Sequence, residues 1–352
     1  MTNIIVALLL FSFIVFFHEF GHFLAARAMR VRVLEFALGM GPRLFSVQPK
    51  ETVYSVRALP IGGFCSMLGE DSEEEESAED SLNQKSPWAR LFIVVAGPLF
   101  NFLLAFFLAI FIVAAVGVDR PALVAVTDGY PAAEAGIRAG DLITEINGRH
   151  IVFFREITDL LYINQNEAVD VTVQRQAGGE EQELSFRLVP QYSEEYQSYM
   201  LGIQVQGGRQ AARGTAELVY YAAQETHYAV SSTIRGLLLL IKGRVSTGEL
   251  TGPVGIIGAI GETVDETRQY GLFAVLLNLA GLGLILSANL GVMNLLPIPA
   301  LDGGRLVFCL IEGISRRSLN RKVEGYIHLA GFVLLMALMV FVMFNDIGRL
   351  TG

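Results

Sequence analysis

The chain has 352 residues, of which 52% are hydrophobic and only 17% are charged. Soluble domains are about a quarter charged, so this composition indicates an integral membrane protein with room for one soluble domain. The net charge of −9 argues against nucleic acid as a partner, and two cysteines far apart exclude a disulfide framework or a cysteine-based metal site.

Four segments are long and apolar enough to span a bilayer, which takes about 20 helical residues. They cover 4–27, 91–118, 272–296 and 326–344. Basic residues cluster near their ends: Arg27, Arg30, Arg32; Lys85, Arg90; Arg305, Arg316, Arg317, Arg321 and Lys322. The positive-inside rule places all three clusters in the cytoplasm and both termini outside. No basic residue precedes the first run, so we interpret it as a retained helix and not a cleavable signal peptide.

The first span carries the sequence His18-Glu19-Phe20-Gly21-His22. Residues four apart share a helix face, so the two histidines can bind one metal ion, with Glu19 beside them as a proton acceptor. Such residues are costly inside an apolar span, which favours a functional role over chance or packing. About 21 Å of helix separates position 4 from His18, which places the motif in the cytoplasmic half of the bilayer.

The segments flanking the second span lie on the same side by this topology. Alternating residues around a PKE turn predict a β-hairpin over 44–58, and we interpret the acidic run at 70–80 as a solvated loop. Gly97, Pro98 and Asn101 interrupt the second span itself. A simple kink with a satisfied polar group and an opening of the helix beside the metal site are both open interpretations.

Residues 119–206 form a soluble module, placed outside by the topology, with a helix predicted at 156–162 and strands at 168–175 and 183–189. For 214–243 we expect an amphipathic helix on the outer membrane surface, since charged residues and His227 interrupt it. His227 is then a surface residue. A Gly-rich loop is expected over 251–261; a fifth span in this region would overturn the orientation argument.

The third span ends in the sequence NLLPIPALDGG at 294–304. This end reaches the depth estimated for the histidine pair, and its prolines break the helix. Irregular backbone is tolerated at membrane depth where it is buried in protein or lines a wet cavity. Asp302 is either the third ligand of a His₂-carboxylate zinc site or the cap of the following helix, and the residues alone leave both open.

Together these motifs resemble the site-2 protease family of intramembrane zinc metalloproteases, in particular the bacterial branch with an extracytoplasmic PDZ domain. The matches follow the family's order through nearly the whole chain: HEFGH at 18–22, LPIGGF at 59–64, GPLFNF at 97–102, the PDZ-like string PAAEAG…INGR at 131–149, GPVGI at 252–256 and NLLPIPALDGG at 294–304.

The resemblance implies one Zn²⁺ bound by His18, His22 and Asp302, with Glu19 as the catalytic base. It implies peptide-bond hydrolysis in the bacterial inner membrane. Substrates would be single-span proteins, such as anti-sigma factors already cut outside the membrane, or remnant signal peptides. The implied substrate-binding residues are Asn294, Pro297 and Gly63, with Val53, Tyr54 and Ser55 of the hairpin holding substrate as an added strand.

The resemblance is incomplete in two places. A single PDZ module is present where some relatives have two, and it would either bind peptide ends or act as a steric filter. Arg305 stands where some relatives have histidine.

Two other functional classes use similar features. A non-catalytic adaptor would tether partners through the PDZ module, but it does not need an intact set of two histidines, Glu19 and Asp302. A metal transporter needs a continuous polar path, and the fourth span offers only His328 near one end.

We therefore predict a polytopic α-helical membrane protein with about four transmembrane helices, a cytoplasmic-side β-hairpin and an inserted extracytoplasmic PDZ domain. The predicted segments are 1–30 (first span), 31–90 (hairpin and acidic loop), 91–118 (second span), 119–206 (PDZ), 207–271 (surface helix and Gly-rich loop), 272–304 (third span), 305–325 (cytoplasmic segment) and 326–352 (fourth span and C-terminus).

Overall fold

The computed structural model describes residues 2–70, 78–205, 209–243, 252–317 and 319–351. Most of the predicted acidic loop (71–77) and the first residue of the predicted Gly-rich loop lie outside the described residues. The chain divides into two compact units, Met1–Ile112 with Glu225–Gly352, and Val113–Gln224.

The helices, in chain order, are α1 Thr2–Ala28, α2 Pro87–Val116, α3 Pro131–Glu134, α4 Phe154–Asn164, α5 Thr215–Ile241, α6 Pro253–Arg268, α7 Leu272–Leu295, α8 Asp302–Ser315 and α9 Arg321–Thr351. The strands are β1 Val33–Val47, β2 Val53–Met67, β3 Leu123–Val126, β4 Leu142–Ile146, β5 Arg149–His150, β6 Val169–Ala177, β7 Glu180–Leu188, β8 Gln191–Ser193, β9 Ser198–Met200 and β10 Ile203–Val205.

Within the described residues, α1, α2, α7 and α9 are the four helices long and apolar enough to cross a membrane. They coincide with the four predicted spans, so the polytopic membrane fold is confirmed at that level. Pro98 lies inside α2, yet the helix continues to Val116. Close neighbours in a membrane bundle can compensate for the hydrogen bond that a proline removes.

The hairpin formed by β1 and β2 is longer than the predicted 44–58 and bends at Gly39, Gly41 and Gly62, where φ is positive. Each strand therefore pairs twice: 43–47 with 54–57, 53–56 with 35–38, and 35–38 with 63–66. The result is a four-segment sheet with 53–56 and 35–38 inside, in which these two inner segments run parallel and each outer segment runs antiparallel to its neighbour. Its two edges are 43–47 and 63–67.

The sheet lies against α1. The Ser12 hydroxyl donates a hydrogen bond to the Pro60 carbonyl at 2.6 Å, and the Cys65 N–H donates to Glu19 at 3.0 Å. These contacts extend along eight residues of α1, from Ser12 to Glu19. The sheet therefore lies along the middle of the helix and not only at its C-terminal end.

The prediction of a Gly-rich loop over 251–261 is wrong for its described residues, because α6 begins at Pro253. Proline suits the first helical position, where no N–H is needed. The Asp346 carboxylate accepts hydrogen bonds from the N–H groups of Gly252 and Gly255, at 3.0 and 2.9 Å, and so caps the helix. Gly261 lets Asn3 of α1 approach, since a Cβ there would lie 3.2 Å from the Asn3 side chain.

The helix predicted at 214–243 forms as α5. The Thr233 hydroxyl hydrogen-bonds to Asn289, which brings this part of α5 beside the membrane span α7. Its predicted place on the outer membrane surface stays a prediction.

The unit Val113–Gln224 has a core of its own, built around a four-stranded antiparallel sheet in the order β5-β4-β6-β7. Val169, Val171 and Val173 are fully buried, as the period of two along a half-buried strand requires. The predicted helix and both predicted strands of this module are present as α4, β6 and β7. Asp141 is buried here and bonds to both Nε and Nη2 of Arg175, each at 2.7 Å.

Candidate metal centre

The two histidines of α1 lie on one face of the helix and are both buried, His18 at 6% and His22 at 7% exposure. Their Nε2 atoms are 3.2 Å apart. The sequence spacing thus produces two imidazole nitrogens that converge on one point.

Asp302 brings a carboxylate to the same point from the first turn of α8. Its Oδ2 lies 3.1 Å from Nε2 of His18 and 3.2 Å from Nε2 of His22. Four ligands arranged tetrahedrally at zinc–ligand distances of about 2.0–2.1 Å stand about 3.3 Å from one another. The three atoms therefore have the spacing of a zinc site with one position left for water.

The cap interpretation of Asp302 is not supported by the structure. Leu301 is the N-cap of α8 and makes no side-chain capping hydrogen bond, while the Asp302 Oδ2 is buried with no hydrogen-bond partner in the described structure. Such an oxygen beside two imidazole nitrogens suits a cation. Gly303 allows the approach, because a Cβ there would lie 1.9 Å from the Leu296 carbonyl oxygen.

Helix α2 supports both histidines from behind. Nδ1 of His22 lies 2.9 Å from the Ile93 carbonyl oxygen, and Nδ1 of His18 lies 3.0 Å from the Asn101 side-chain amide. Asn101 is completely buried, and its Oδ1 has no hydrogen-bond partner among the described residues. Turning the amide by about 180° lets Oδ1 accept from His18. Both rings then carry their proton on Nδ1 and present a free Nε2 to a metal.

Gly97 makes room for the histidine pair. A Cβ at this position would lie 2.2 Å from Nε2 of His22 and 2.9 Å from Cε1 of His18. Gly21 similarly brings the helix backbones together, since its Cβ would meet the Ala96 oxygen at 2.4 Å. Besides any kink or opening of α2, Gly97 therefore provides the space that the two imidazole rings occupy. Sequence reasoning missed this role and that of the Ile93 carbonyl, and it left Asn101 as an unspecific polar group.

Glu19 is oriented by the sheet. Its Oε2 accepts the hydrogen bond from the Cys65 N–H, on the edge segment 63–67 of β2. In an antiparallel pair, backbone groups point inward and outward on alternate residues. Gly63 therefore directs its N–H and C=O to the same free edge as Cys65, and a Cβ at Gly63 would lie 3.9 Å from Cγ of Glu19.

The other predicted substrate-binding residues lie near the end of α7 and in the inner part of the sheet. Asn294 is buried in the last turn of α7, and Pro297 follows in the non-helical segment that leads to Asp302. Tyr54 and Ser55 are already paired on both sides, Tyr54 with Phe36 and Val47 and Ser55 with Ala37 and Ser46. Tyr54 and Ser55 therefore leave no side open for an added strand, whereas the segment 63–67 is paired with another strand on one side only among the described residues and lies beside Glu19. A role of Val53, Tyr54 and Ser55 in substrate binding stays a prediction.

Comparisons with known proteins identify the family of the chain. The model of peptidase family M50 matches residues 6–338. A Clostridium acetobutylicum protein whose name describes a zinc metalloprotease is 35% identical, over 98% of this chain and 97% of its own. "Regulator of sigma-W protease RasP" of Bacillus subtilis is 30% identical over 99% of both chains.

A solved structure of a PDZ domain, from an SdrC-like protein of Listeria monocytogenes, is 26% identical over 24% of this chain and 85% of its own, with a TM-score of 0.20. The assignment of the chain rests on the family match and on the full-length relatives, which are named as proteases. The chain belongs to peptidase family M50, the site-2 protease family, and is a multi-pass membrane zinc metalloprotease.

Proposed function

We propose that this protease cleaves single-span membrane proteins within the bilayer, at a zinc ion held by His18, His22 and Asp302. One observation carries the proposal. Three ligand atoms converge to within 3.2 Å of one another, and two of them belong to a helix that is long and apolar enough to cross the membrane.

The residues divide the chemistry between them. A bound zinc ion supplies Lewis acidity, which lowers the pKa of a water molecule and polarises a peptide carbonyl. Glu19 takes the proton of the attacking water and passes it to the leaving amine as the peptide bond breaks. The Cys65 N–H holds the Glu19 carboxylate through a charge-assisted hydrogen bond.

The substrate binds, in this proposal, as a strand added to the edge 63–67. A helical span hides its peptide groups, and strand addition unwinds it and exposes them to the centre. Gly63 places backbone donors and acceptors at this edge beside Glu19. Asn294, buried in the last turn of α7, and Pro297, which follows that helix, are the further residues that contact the substrate in this proposal. Substrates therefore need helix-breaking residues near the cleavage point, and polyleucine spans are cut poorly.

We infer that the natural substrates are anti-sigma factors already cut outside the membrane, or remnant signal peptides. The name of the Bacillus subtilis relative links that protein to sigma-W regulation. The unit Val113–Gln224 is, in this proposal, a PDZ domain that binds peptide ends or filters substrates by size. It faces outward with both termini, and the distribution of basic residues near the spans supports this orientation.

The test uses purified full-length protein in detergent, a tagged single-span substrate and quantified zinc. We expect the wild type to cut within the span, whereas Glu19→Gln retains zinc and does not cut. Glu262→Gln, an exposed change on α6, is the matched control and cuts as the wild type does. Wild-type cleavage by Glu19→Gln contradicts the role of the base. Absence of both zinc and cleavage in the wild type contradicts the centre.

A further inference from the structure

The carboxylate ligand is reached through a short non-helical segment, 296–301, that carries an unusual backbone conformation. Ala300 has φ of +75°, in the left-handed region, which is strained for a residue with a Cβ. Asp302 follows two residues later. Some contact has to hold this conformation, because the direction of the Asp302 carboxylate depends on it.

The segment 296–301 has few N–H donors of its own with which to hold the left-handed conformation at Ala300. Pro297 and Pro299 lack an N–H, and the N–H groups of Ile298 and Leu301 bond within the segment, to Leu296 and Ile298 at 2.7 and 3.2 Å. The Ala300 N–H instead bonds outside the segment, donating to Nδ1 of His328 on α9 at 3.0 Å.

The same stretch of α9 touches the segment a second time. Gly331 lies three residues after His328, and a Cβ there would come within 2.4 Å of Cβ of Pro299 and 2.6 Å of its carbonyl oxygen. The ring of Phe308, on α8, packs against the His328 ring with centroids 5.6 Å apart. His328 is thus held between the segment 296–301 and α8, the helix that begins with Asp302.

We propose that His328 is a positioning residue for the zinc centre. By accepting the Ala300 N–H it holds the left-handed turn, and the turn fixes the direction in which Asp302 presents Oδ2 to the two histidines. His328 does not itself reach the metal ligands. The proposal concerns the stability of the zinc centre and not the cleavage reaction, so it can fail while the proposed function stands.

The test is the zinc affinity of the full-length protein in detergent, measured by competition with a chelator. His328→Phe keeps a ring of similar size and removes the acceptor. Outer-shell partners of metal ligands typically contribute about 10- to 100-fold in affinity, and we expect a loss of that order. His328→Asn puts an acceptor oxygen near the place of Nδ1. If the missing hydrogen bond causes the loss of affinity in His328→Phe, then His328→Asn should bind zinc within about threefold of the wild type.

A second variant separates positioning from folding. Glycine adopts φ of +75° without the Cβ penalty, so in an Ala300→Gly background the same His328→Phe change should lose less affinity. Thermal unfolding of the zinc-free proteins serves as the folding control. Wild-type zinc affinity in His328→Phe overturns the proposal, as does an equal loss in the Phe and Asn variants or an undiminished loss in the glycine background.

Discussion

At the scale of single residues, space is as decisive as ligand chemistry in this metal centre. The two histidines and Glu19 could be predicted from their spacing and depth, whereas for Asp302 the residues left a metal ligand and a helix cap both open. The atoms that orient them could not, because Ile93 and Asn101 lie 71 and 83 positions from their histidine partners. A sequence records no such distance. Gly97 appeared as a helix-weakening residue because its real neighbours, the imidazoles, come from another helix.

Gly97→Ala is expected to weaken zinc binding. The added Cβ would stand 2.2 Å from Nε2 of His22, in a buried place where the ring has no room to move away. We expect at least a roughly tenfold loss of zinc affinity, which is about 1.4 kcal/mol.

The matched control is Gly281→Ala on α7. A Cβ there meets nothing within 4 Å, so zinc affinity should not change. Unchanged zinc binding in Gly97→Ala would show that the histidine pair tolerates a wider separation of the helices than the structure indicates.

At the scale of elements, the spans and the hairpin could be predicted from the sequence, but the length of the strands and the positions of the sheet edges could not. Alternation predicted strands near 44–58, whereas 59–64 was noted only as the motif LPIGGF and was not predicted to be a strand. The bends at positive-φ glycines give the sheet four segments. That changes which segment is an edge, and pairing order is a property of the folded sheet that no local pattern contains. The glycines of 252–261 had the opposite effect on the prediction. They suggested a loop, whereas in the structure they lie in or next to α6, a helix that packs closely against its neighbours.

Gly63→Ala should separate cleavage from metal binding. A Cβ at Gly63 would lie 2.7 Å from the backbone oxygen of Ala37 on the paired segment, so the edge must shift. A misplacement of about 1 Å can cost on the order of 100-fold in rate. We expect a loss of that order in cleavage of the single-span substrate, with zinc content unchanged because all three ligands lie elsewhere.

Val47→Ala, on the opposite edge of the same sheet, is the control and should cut normally. Normal cleavage by Gly63→Ala would remove the edge 63–67 from the substrate path.

At the scale of the whole molecule, the chain builds two separate cores, and we expect them to fail separately. The core of Val113–Gln224 depends on Asp141, whose side chain is 1% exposed and pairs with Arg175. Burial raises the pKa of Asp141, but the hydrogen bonds from Arg175 and from the Arg138 N–H outweigh it and hold the pKa below its ordinary value of 3.8. The charged form is therefore the one that stabilises the fold.

Asp141→Asn should unfold this unit without emptying the metal centre. Leaving the Arg175 guanidinium without its counter-charge costs about 3 kcal/mol. Limited proteolysis should show faster cutting within 113–224, while zinc content stays at the wild-type level.

Acid should have the same effect on the wild-type unit. Because the folded pKa is depressed, the contribution of Asp141 is full above its ordinary pKa and is lost as the pH falls below it. Asp141→Asn should lack this component of the acid sensitivity. Zinc release in step with proteolysis at neutral pH would contradict the independence of the two cores.

The hydrogen bond between Cys65 and Glu19 joins two tasks in one strand. The backbone of 63–67 that holds Glu19 is also the backbone proposed to bind the substrate. Local opening of this edge would therefore weaken substrate binding and proton transfer by Glu19 at the same time. Docking a substrate strand damps that opening and steadies the base. Affinity and turnover are then kinetically inseparable along 63–67: variants there should move KM and kcat together, and a substrate that fails to order the edge protects itself from hydrolysis.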